Sequence, residues 1–318
     1  MSSNRFNGET SVRGENNYAV VLDVGGTFVK SAVVSSEGDL LPGTCQKSAI
    51  ASAGEAEAIA GCLAETVRVA LQQAGSMNLP VCGIGLCVPG PFDYQAGVSL
   101  MIHKFKAIRG LDLRQELIGR LCLSRDTHIY FESDAHAFLL GEAWTGNARG
   151  IKRAMAVTLG TGIGAAFMNE GRIMRRDSRT PLYSLWNLPY GGGIVEDRLS
   201  RAGITARYEE LGGNGSCNRI DVKDIASLAA KERDRASLQV FEEVGLIMGE
   251  VLAPVIEDFG AECLVMGGQI SKAFPLFSDS LIKRLVHIPT LKKITCGKSI
   301  DRSALYGMAG LIFGYISN

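Results

Sequence analysis

Two glycine-rich turns, each placed between two strand-like runs, constrain this chain of 318 residues more than any other feature. The turns lie at residues 25–27 and 160–162, about 135 residues apart. The four apolar runs that flank them are residues 18–23, 29–34, 154–159 and 163–168. A tight glycine turn between two such runs predicts a β-hairpin, not the strand-to-helix turn of a Rossmann motif. Because the unit occurs twice, the chain is predicted to have two related lobes.

Strand-like and helical patterns alternate along the rest of the chain, which predicts α/β layers. Residues 127–131 form a predicted strand, and a helix is predicted shortly after it over 135–143. Further helices are predicted over residues 53–74, 194–209, 222–231, 236–259 and 304–316.

The charge balance and the hydropathy pattern argue against some classes of function. Lys and Arg together number 33, as do Asp and Glu, and this zero net charge gives no general support for nucleic-acid binding. No apolar run reaches the roughly 20 residues of a membrane helix. The polar residues 1–17 are predicted to be a flexible lead-in and not a signal peptide. None of the eight cysteines forms a CxxC or CxC pair, which predicts reduced, mostly buried thiols in a cytoplasmic protein.

The first glycine turn carries the residues expected of a phosphate site. Because Gly25 and Gly26 have no side chains, backbone N–H groups and the Thr27 hydroxyl can approach phosphate oxygens. Lys30 adds a positive charge, and Asp23 is a candidate ligand for Mg²⁺, directly or through water. The same residues also fit an ordinary hairpin, so this turn alone leaves both interpretations open.

Two further glycine segments fit the same chemistry. In a two-lobed protein, Gly160, Thr161 and Gly162 would face the first turn, and the two turns could clamp a polyphosphate from both sides. Gly267 and Gly268 follow another strand-like run, where a base or ribose could lie against the backbone. A plain loop would use the same residues.

In order and spacing, these segments resemble the ROK family of sugar kinases and regulators, within the actin, hexokinase and Hsp70 superfamily. DVGGTFVK is similar to that family's first phosphate loop, LGTGIG to its second and VMGGQIS to its adenosine segment. The resemblance runs from about residue 18 to the C-terminus. It implies a two-lobed actin-like (ribonuclease H-like) fold with a central mixed sheet in each lobe. The lobes would be residues 18–133 and 134–303, with the helix at 304–316 packed back on the first.

The resemblance also implies ATP and Mg²⁺ as cofactors and Asp134 as the catalytic base. In the family, a carboxylate just after a central strand takes the proton from the sugar hydroxyl that attacks the γ-phosphate. Residues 133–136 here read Ser-Asp-Ala-His against the usual Asn-Asp-Ala-Asn, so Asp134 is kept. From the residues alone, a helix N-cap is a more ordinary role for such an Asp, and the two roles are compatible.

The sugar side departs from the family pattern. Many members hold a structural zinc with a GExGH motif and a CxCGxxGCxE segment, but no cysteine lies between Cys122 and Cys217 here. We therefore predict no zinc site. Glu196 matches the closing Glu of that segment, which contacts the sugar in the family, and Trp186 is either a stacking face for a sugar or a core residue. The other sugar-facing candidates are Gly90, His103, Ser133 and Asn187.

The leading hypothesis is ATP-dependent phosphorylation of a hexose or hexose derivative whose identity is open. The family also contains transcription regulators, whose helix-turn-helix domain precedes the first phosphate loop, and the 22 residues before Asp23 are too few for one. A sugar-binding protein or pseudokinase without phosphotransfer is the third hypothesis, because Ser133 and Ser184 replace usual sugar contacts. The family also implies a homodimer. Neither a nucleic acid nor a membrane is an expected partner.

Overall fold

The first glycine turn joins two neighbouring strands of a five-stranded mixed sheet. In the computed structural model, which describes residues 17–177, 180–213 and 220–315, the strands of this half are β1 (Tyr18–Val24), β2 (Phe28–Ser35), β3 (Gln46–Ala49), β4 (Val81–Cys87), β5 (Phe92–Asp93), β6 (Val98–Ser99) and β7 (Ile129–Glu132). The sheet has the order β3-β2-β1-β4-β7, and β5 and β6 form a separate ribbon. β1, β2 and β3 pair antiparallel, whereas β1, β4 and β7 run parallel.

The second glycine turn builds a sheet of the same design. The strands of this half are β8 (Arg153–Leu159), β9 (Ile163–Asn169), β10 (Arg172–Ile173), β11 (Pro189–Tyr190), β12 (Gly193–Ile194), β13 (Cys263–Gly267) and β14 (Lys293–Cys296). The order is β10-β9-β8-β13-β14, again an antiparallel meander followed by two parallel strands, with β11 and β12 as a ribbon. The recurrence of one topology confirms the α/β class with a mixed sheet in each half.

Helices cover the outer face of each sheet, and two helices lie between the sheets. The helices are α1 (Ala56–Ser76), α2 (Leu113–Leu121), α3 (Asp134–Trp144), α4 (Glu196–Leu199), α5 (Arg201–Glu210), α6 (Val222–Ser227), α7 (Arg235–Phe259), α8 (Phe274–Leu285) and α9 (Ser303–Ile312). Alternate residues of β1 face opposite sides. Val20 and Leu22 pack towards α1 and α2, whereas Ala19 and Val21 pack against α9. In turn, α3 packs on the second sheet and against α9.

Glycines let α3 and α9 approach until their backbones touch. A Cβ atom on Gly141 would lie 1.8 Å from the carbonyl oxygen of Ser303, and one on Gly307 would lie 1.8 Å from that of Ala137. The buried carboxylate of Glu142 ties the same helices together, because it accepts a hydrogen bond from the Ser303 hydroxyl at 2.6 Å. No side chain larger than hydrogen fits at either crossing point.

Several predicted elements differ from the structure. The helix predicted over 194–209 is broken at Ser200, because this residue takes extended backbone angles and its hydroxyl accepts from the Gly203 N–H at 3.3 Å, capping α5. The pattern at 222–231 ends as α-helix at Ser227 and continues as a π-helix. The strands β3 and β14 and the helix α8 were not predicted. The predicted flexible segment 1–17 lies outside the described residues apart from Asn17, as does the predicted helix end at 316.

The cysteine prediction is wrong on burial. Cys45, Cys82 and Cys122 are exposed, whereas Cys87 and Cys263 are buried in the sheets. Of the exposed three, Cys45 lies outside regular structure and Cys122 is the left-handed residue after α2, so neither has a sheet face to bury it. Within the described part of the chain, all cysteines are free thiols. No helix there is long and apolar enough to cross a membrane.

The close crossing of α3 and α9 predicts a large stability effect at one glycine. Gly307→Ala is expected to lower the free energy of unfolding by about 2–3 kcal/mol, because its methyl group would overlap the Ala137 carbonyl. The matched control is Gly61→Ala in α1, where a Cβ meets nothing within 4 Å and alanine is expected to stabilise by about 0.5–1 kcal/mol. Urea denaturation measures both, and equal stabilities would contradict the close crossing.

Candidate active site

The two glycine turns border one cleft of about 550 Å³, which we call the glycine-loop cleft. The sequence-predicted site residues that line it are Asp23, Gly25, Gly26, Lys30, Gly90, His103, Asp134, Gly160, Thr161, Gly162, Glu196 and Gly268. Thr27 lies at the exposed tip of the first turn and is not part of the lining. Gly267 is buried and also does not line it. Segments that are far apart in the sequence therefore meet around one space.

Asp23 and Lys30 are paired across the first hairpin. The strand register sets them opposite each other, with the Lys30 ammonium 3.5 Å from an Asp23 carboxylate oxygen. The ammonium also donates to the carbonyl oxygen of Asp301 at 3.3 Å. Burial raises the pKa of Asp23, the charge of Lys30 opposes this, and the negative charge of Asp134 adds to it. The cleft thus disfavours the charged form of Asp23, and a bound cation would stabilise that form.

The second turn packs against the side chain of Glu196, the first residue of α4. The Gly160 N–H donates to the Gly162 carbonyl at 3.0 Å and closes the turn. The Glu196 carboxylate accepts from the Ile163 N–H at 3.1 Å. A Cβ on Gly162 would lie 2.5 Å from that carboxylate, so glycine makes room for it.

Gly267 and Gly268 bring the end of β13 close to its neighbours. A Cβ on Gly267 would lie 2.6 Å from the Phe138 ring, and one on Gly268 would lie 2.2 Å from the Leu159 carbonyl oxygen. Gly268 also has a φ of +79°, a conformation that favours glycine. Tight packing therefore requires both glycines, and Gly268 in addition faces the glycine-loop cleft.

Asp134 is the first residue of α3 and lies exposed in the cleft. The N-cap role considered for it belongs to Ser133, whose hydroxyl accepts from the His136 N–H at 3.3 Å. One Asp134 carboxylate oxygen accepts from the Ala135 N–H at 2.8 Å. Free N–H groups and the helix dipole favour a carboxylate in the first turn of a helix. The start of α3 thus presents a carboxylate to the cleft.

A second cavity of about 630 Å³, which we call the side cavity, adjoins the cleft. Asp134 and Glu196 line both spaces. The other residues of the side cavity that bear on the site are Gly90, Tyr94, His103, Ser133, His136, Arg175 and Trp186. Trp186 is 47% exposed, so it is a cavity wall and not a core residue. Asn187 is exposed and lines neither space.

A buried carboxylate lies two residues before Asp134. Glu132 has 0% exposure, and one of its oxygens accepts from the Ser133 N–H at 2.8 Å and pairs with His136 Nδ1 at 2.9 Å. The other oxygen accepts from the Arg175 guanidinium. Burial alone would raise the pKa of Glu132, but His136, Arg175 and the Ser133 N–H outweigh it, and the pKa is lowered.

Sequence reasoning missed several residues of the site. The Glu132 and Arg175 pair joins positions 43 apart in the chain, and no local pattern signals it, because Glu132 ends strand β7 whereas Arg175 lies in a distant segment. Lys104 lines the cleft, and its side chain passes within 4 Å of where a Cβ on Gly26 would lie. A lysine beside a glycine turn supplies positive charge where phosphates would be held.

The chain matches a known protein family. The ROK family matches residues 19–177, half of the chain. The chain belongs to the ROK family. A glucokinase of Thermotoga maritima is 28% identical over 315 residues, which covers 92% of this chain and 96% of that protein.

Two solved ROK structures share the fold. A ROK family transcriptional regulator, described as a homologue of the E. coli MLC protein, superposes with a TM-score of 0.81 at 19% identity, covering 94% of this chain and 78% of that one. A ROK glucokinase from Streptomyces griseus, in complex with glucose and AMPPNP, superposes with a TM-score of 0.76 at 21% identity, covering 92% and 98%. The predicted two-lobed, actin-like ATPase fold class is confirmed.

Hydrogen bonds hold residues 183–196 of this ROK protein, the segment compared above with the family's zinc motifs, against the rest of the fold. The Tyr183 hydroxyl donates to Asp258, and the Tyr190 hydroxyl donates to Glu250 at 2.8 Å, so this segment is tied to α7. Among the residues that the structure describes, no group of three or more His, Cys, Asp and Glu side chains is placed to hold a metal ion.

The raised pKa of Asp23 predicts that the site costs stability at neutral pH. A carboxyl group whose folded pKa exceeds its unfolded value destabilises the fold once the pH has risen through both. Asp23→Asn is therefore expected to be more stable than the wild type at pH 7, with a gain that shrinks as the pH falls towards 3.8, the ordinary value.

Denaturant unfolding at pH 7 and pH 5 measures this gain. Asp126→Asn is the matched control, because Asp126 is an exposed carboxylate outside the cleft, and it is expected to change stability at neither pH. If Asp23→Asn were less stable than the wild type at pH 7, attraction to Lys30 would outweigh burial and the charge of Asp134.

Proposed function

We propose that this ROK protein is an ATP-dependent kinase that phosphorylates a hexose or hexose derivative. The proposal depends chiefly on the position of Asp134, which borders both the glycine-loop cleft and the side cavity. A base for phosphoryl transfer must reach the attacking hydroxyl while the phosphate lies in line with it. A carboxylate at the boundary of two adjoining spaces meets this requirement when one holds the nucleotide and the other the sugar.

The glycine-loop cleft is the proposed nucleotide site. Backbone N–H groups of the two turns would hold the phosphates, and the base or ribose would lie against the end of β13. The S. griseus relative was solved with AMPPNP, which supports ATP as the donor. The proposed nucleotide-binding residues are Asp23, Gly25, Gly26, Thr27, Lys30, Gly160, Thr161, Gly162, Gly267 and Gly268, of which Thr27 and Gly267 do not line the cleft and would have to approach the nucleotide when it binds.

Mg²⁺ fits this site on the chemistry of Asp23. Hard cations prefer carboxylate oxygens together with substrate phosphates, and burial makes the negative charge of Asp23 costly unless a cation lies nearby. When bound, Mg²⁺ would neutralise phosphate charge during transfer. Asp23 would hold it directly or through water.

The side cavity is the proposed sugar site. Its walls offer hydrogen-bonding groups and, in Trp186, an exposed ring on which a sugar can stack. Such groups select a sugar because a wrong sugar leaves them unpaired. The proposed sugar-binding residues are Gly90, His103, Ser133, Asn187 and Glu196, of which Asn187 would have to move to reach the cavity.

In the proposed reaction, Asp134 accepts the proton of the attacking sugar hydroxyl. The hydroxyl oxygen forms a bond to the γ-phosphorus, the bond from that phosphorus to the bridging oxygen breaks, and ADP leaves. Lys30 and the turn N–H groups stabilise the phosphoryl charge. We place the lobes at residues 18–133 and 134–303, with α9 packed on the first, and their closure would exclude water as a competing acceptor.

Asp134→Asn tests the base directly. The variant is expected to lower kcat by about 10²–10⁴-fold, because an amide cannot take the proton, while the KM values for ATP and sugar change little. A coupled ADP-release assay over a panel of hexoses and amino sugars measures this, with Asp126→Asn expected to match the wild type. Unchanged turnover in Asp134→Asn would rule out the assigned base.

A sugar-binding regulator is the second candidate function. It is favoured by the transcriptional regulator's TM-score of 0.81, above the 0.76 of the S. griseus glucokinase. The retained Asp134 and Lys30 weigh against it, because a protein that only binds sugar needs neither. Sugar and ATP binding without ADP release for any sugar in the panel would favour this candidate over the kinase.

A further inference from the structure

His136 has one ring nitrogen without a partner. The residue is 4% exposed, and its Nδ1 pairs with Glu132 at 2.9 Å. Its Nε2, on the other edge of the ring, is buried and has no hydrogen-bond partner among the described residues. His136 lines the side cavity and not the glycine-loop cleft. A buried polar atom left unpaired is costly, and because its residue lines a cavity, a ligand group in that cavity could pair with it.

The neighbours of His136 determine what Nε2 can do. The lowered pKa of Glu132 makes it a carboxylate, and a carboxylate only accepts hydrogen bonds. Nδ1 must therefore carry the proton in this pair. Nε2 is then the ring nitrogen left to bond with a ligand, and a sugar hydroxyl can both donate and accept a hydrogen bond.

We propose that His136 is a specificity-determining residue whose Nε2 forms a hydrogen bond with one hydroxyl group of the bound sugar. This inference rests on the proposed function, since it takes the occupant of the side cavity to be a sugar. Side chains two apart on a helix do not face each other. The hydroxyl that His136 recognises is therefore a different one from the hydroxyl that Asp134 deprotonates.

The substitution His136→Asn removes the contact of Nε2 while it keeps the contact of Nδ1. The asparagine amide lies close to the position of Nδ1 and can still donate to Glu132, but it places no atom at the position of Nε2. His136→Gln instead extends an amide towards that position. His128→Asn is the matched control, because His128 is an exposed histidine outside both the side cavity and the cleft.

Isothermal titration calorimetry tests the inference without requiring turnover. The best-bound hexose of the panel and its monodeoxy analogues are titrated into each full-length variant. His136→Asn is expected to bind the parent hexose about 10–100-fold more weakly. One monodeoxy analogue is expected to bind the wild type more weakly than the parent hexose does, by a similar factor. The same analogue is expected to bind the wild type and His136→Asn with equal affinity. His136→Gln is expected to recover part of the loss, and His128→Asn to match the wild type.

The outcomes distinguish this inference from the kinase proposal. Equal affinity of the wild type and His136→Asn for the parent hexose would overturn the inference about His136. It would also be overturned if His136→Asn lost affinity equally for all the monodeoxy analogues. ATP affinity and the unfolding temperature serve as controls for folding, and both are expected to be unchanged in His136→Asn. Sugar binding without ADP release would contradict the kinase alone, whereas a panel with no binding at all would overturn both proposals.

Discussion

The contact between α3 and α9 is the constraint on which the site depends. Because Gly141 and Gly307 carry no side chains, the two helices pack backbone to backbone between the sheets. The buried Glu142 carboxylate accepts from Ser303 at one end of α3, and the other end of α3 carries Asp134. A helix held this closely sets the position of its first residue relative to both glycine turns, which belong to different sheets. Packing of α3 against α9 beside the cleft thus sets where the Asp134 carboxylate lies.

Negative charge is concentrated at the meeting point of the two sheets. Burial raises the pKa of Cys87 and of Tyr94 well above their usual values, and Asp134 and Glu132 raise both further. Both groups are therefore neutral, so Cys87 is not a nucleophile although it lies close to the cleft. Arg175 neutralises Glu132, whereas Asp23, Asp134 and Glu196 present carboxylates to the cleft. Holding these carboxylates close together lowers stability, a cost that enzyme sites commonly carry.

Features that depend on residues close together in the chain could be predicted from the sequence. Both hairpins join strands that are adjacent in the chain, so the apolar runs and glycine turns were sufficient to predict them. The break at Ser200 was missed because the apolar spacing continues across it and only the capping hydroxyl marks it. The roles of Glu132 and Arg175 were missed because their contact joins distant segments, and neither residue belongs to a glycine motif. Positions in the cleft thus followed from motifs, whereas charge partners required the fold.

The two departures from the family's usual Asn-Asp-Ala-Asn order are coupled to each other. Ser133 accepts from the backbone N–H of His136, and both residues bond to Glu132, Ser133 through its N–H and His136 through Nδ1. Together they cap α3 and leave Asp134 as its first residue. A histidine ring reaches farther than asparagine, so the exchange places a hydrogen-bonding atom deeper in the lining while its near edge keeps the bond to Glu132. Under the proposed function, these changes would alter which sugar fits while Asp134 stays the first residue of α3.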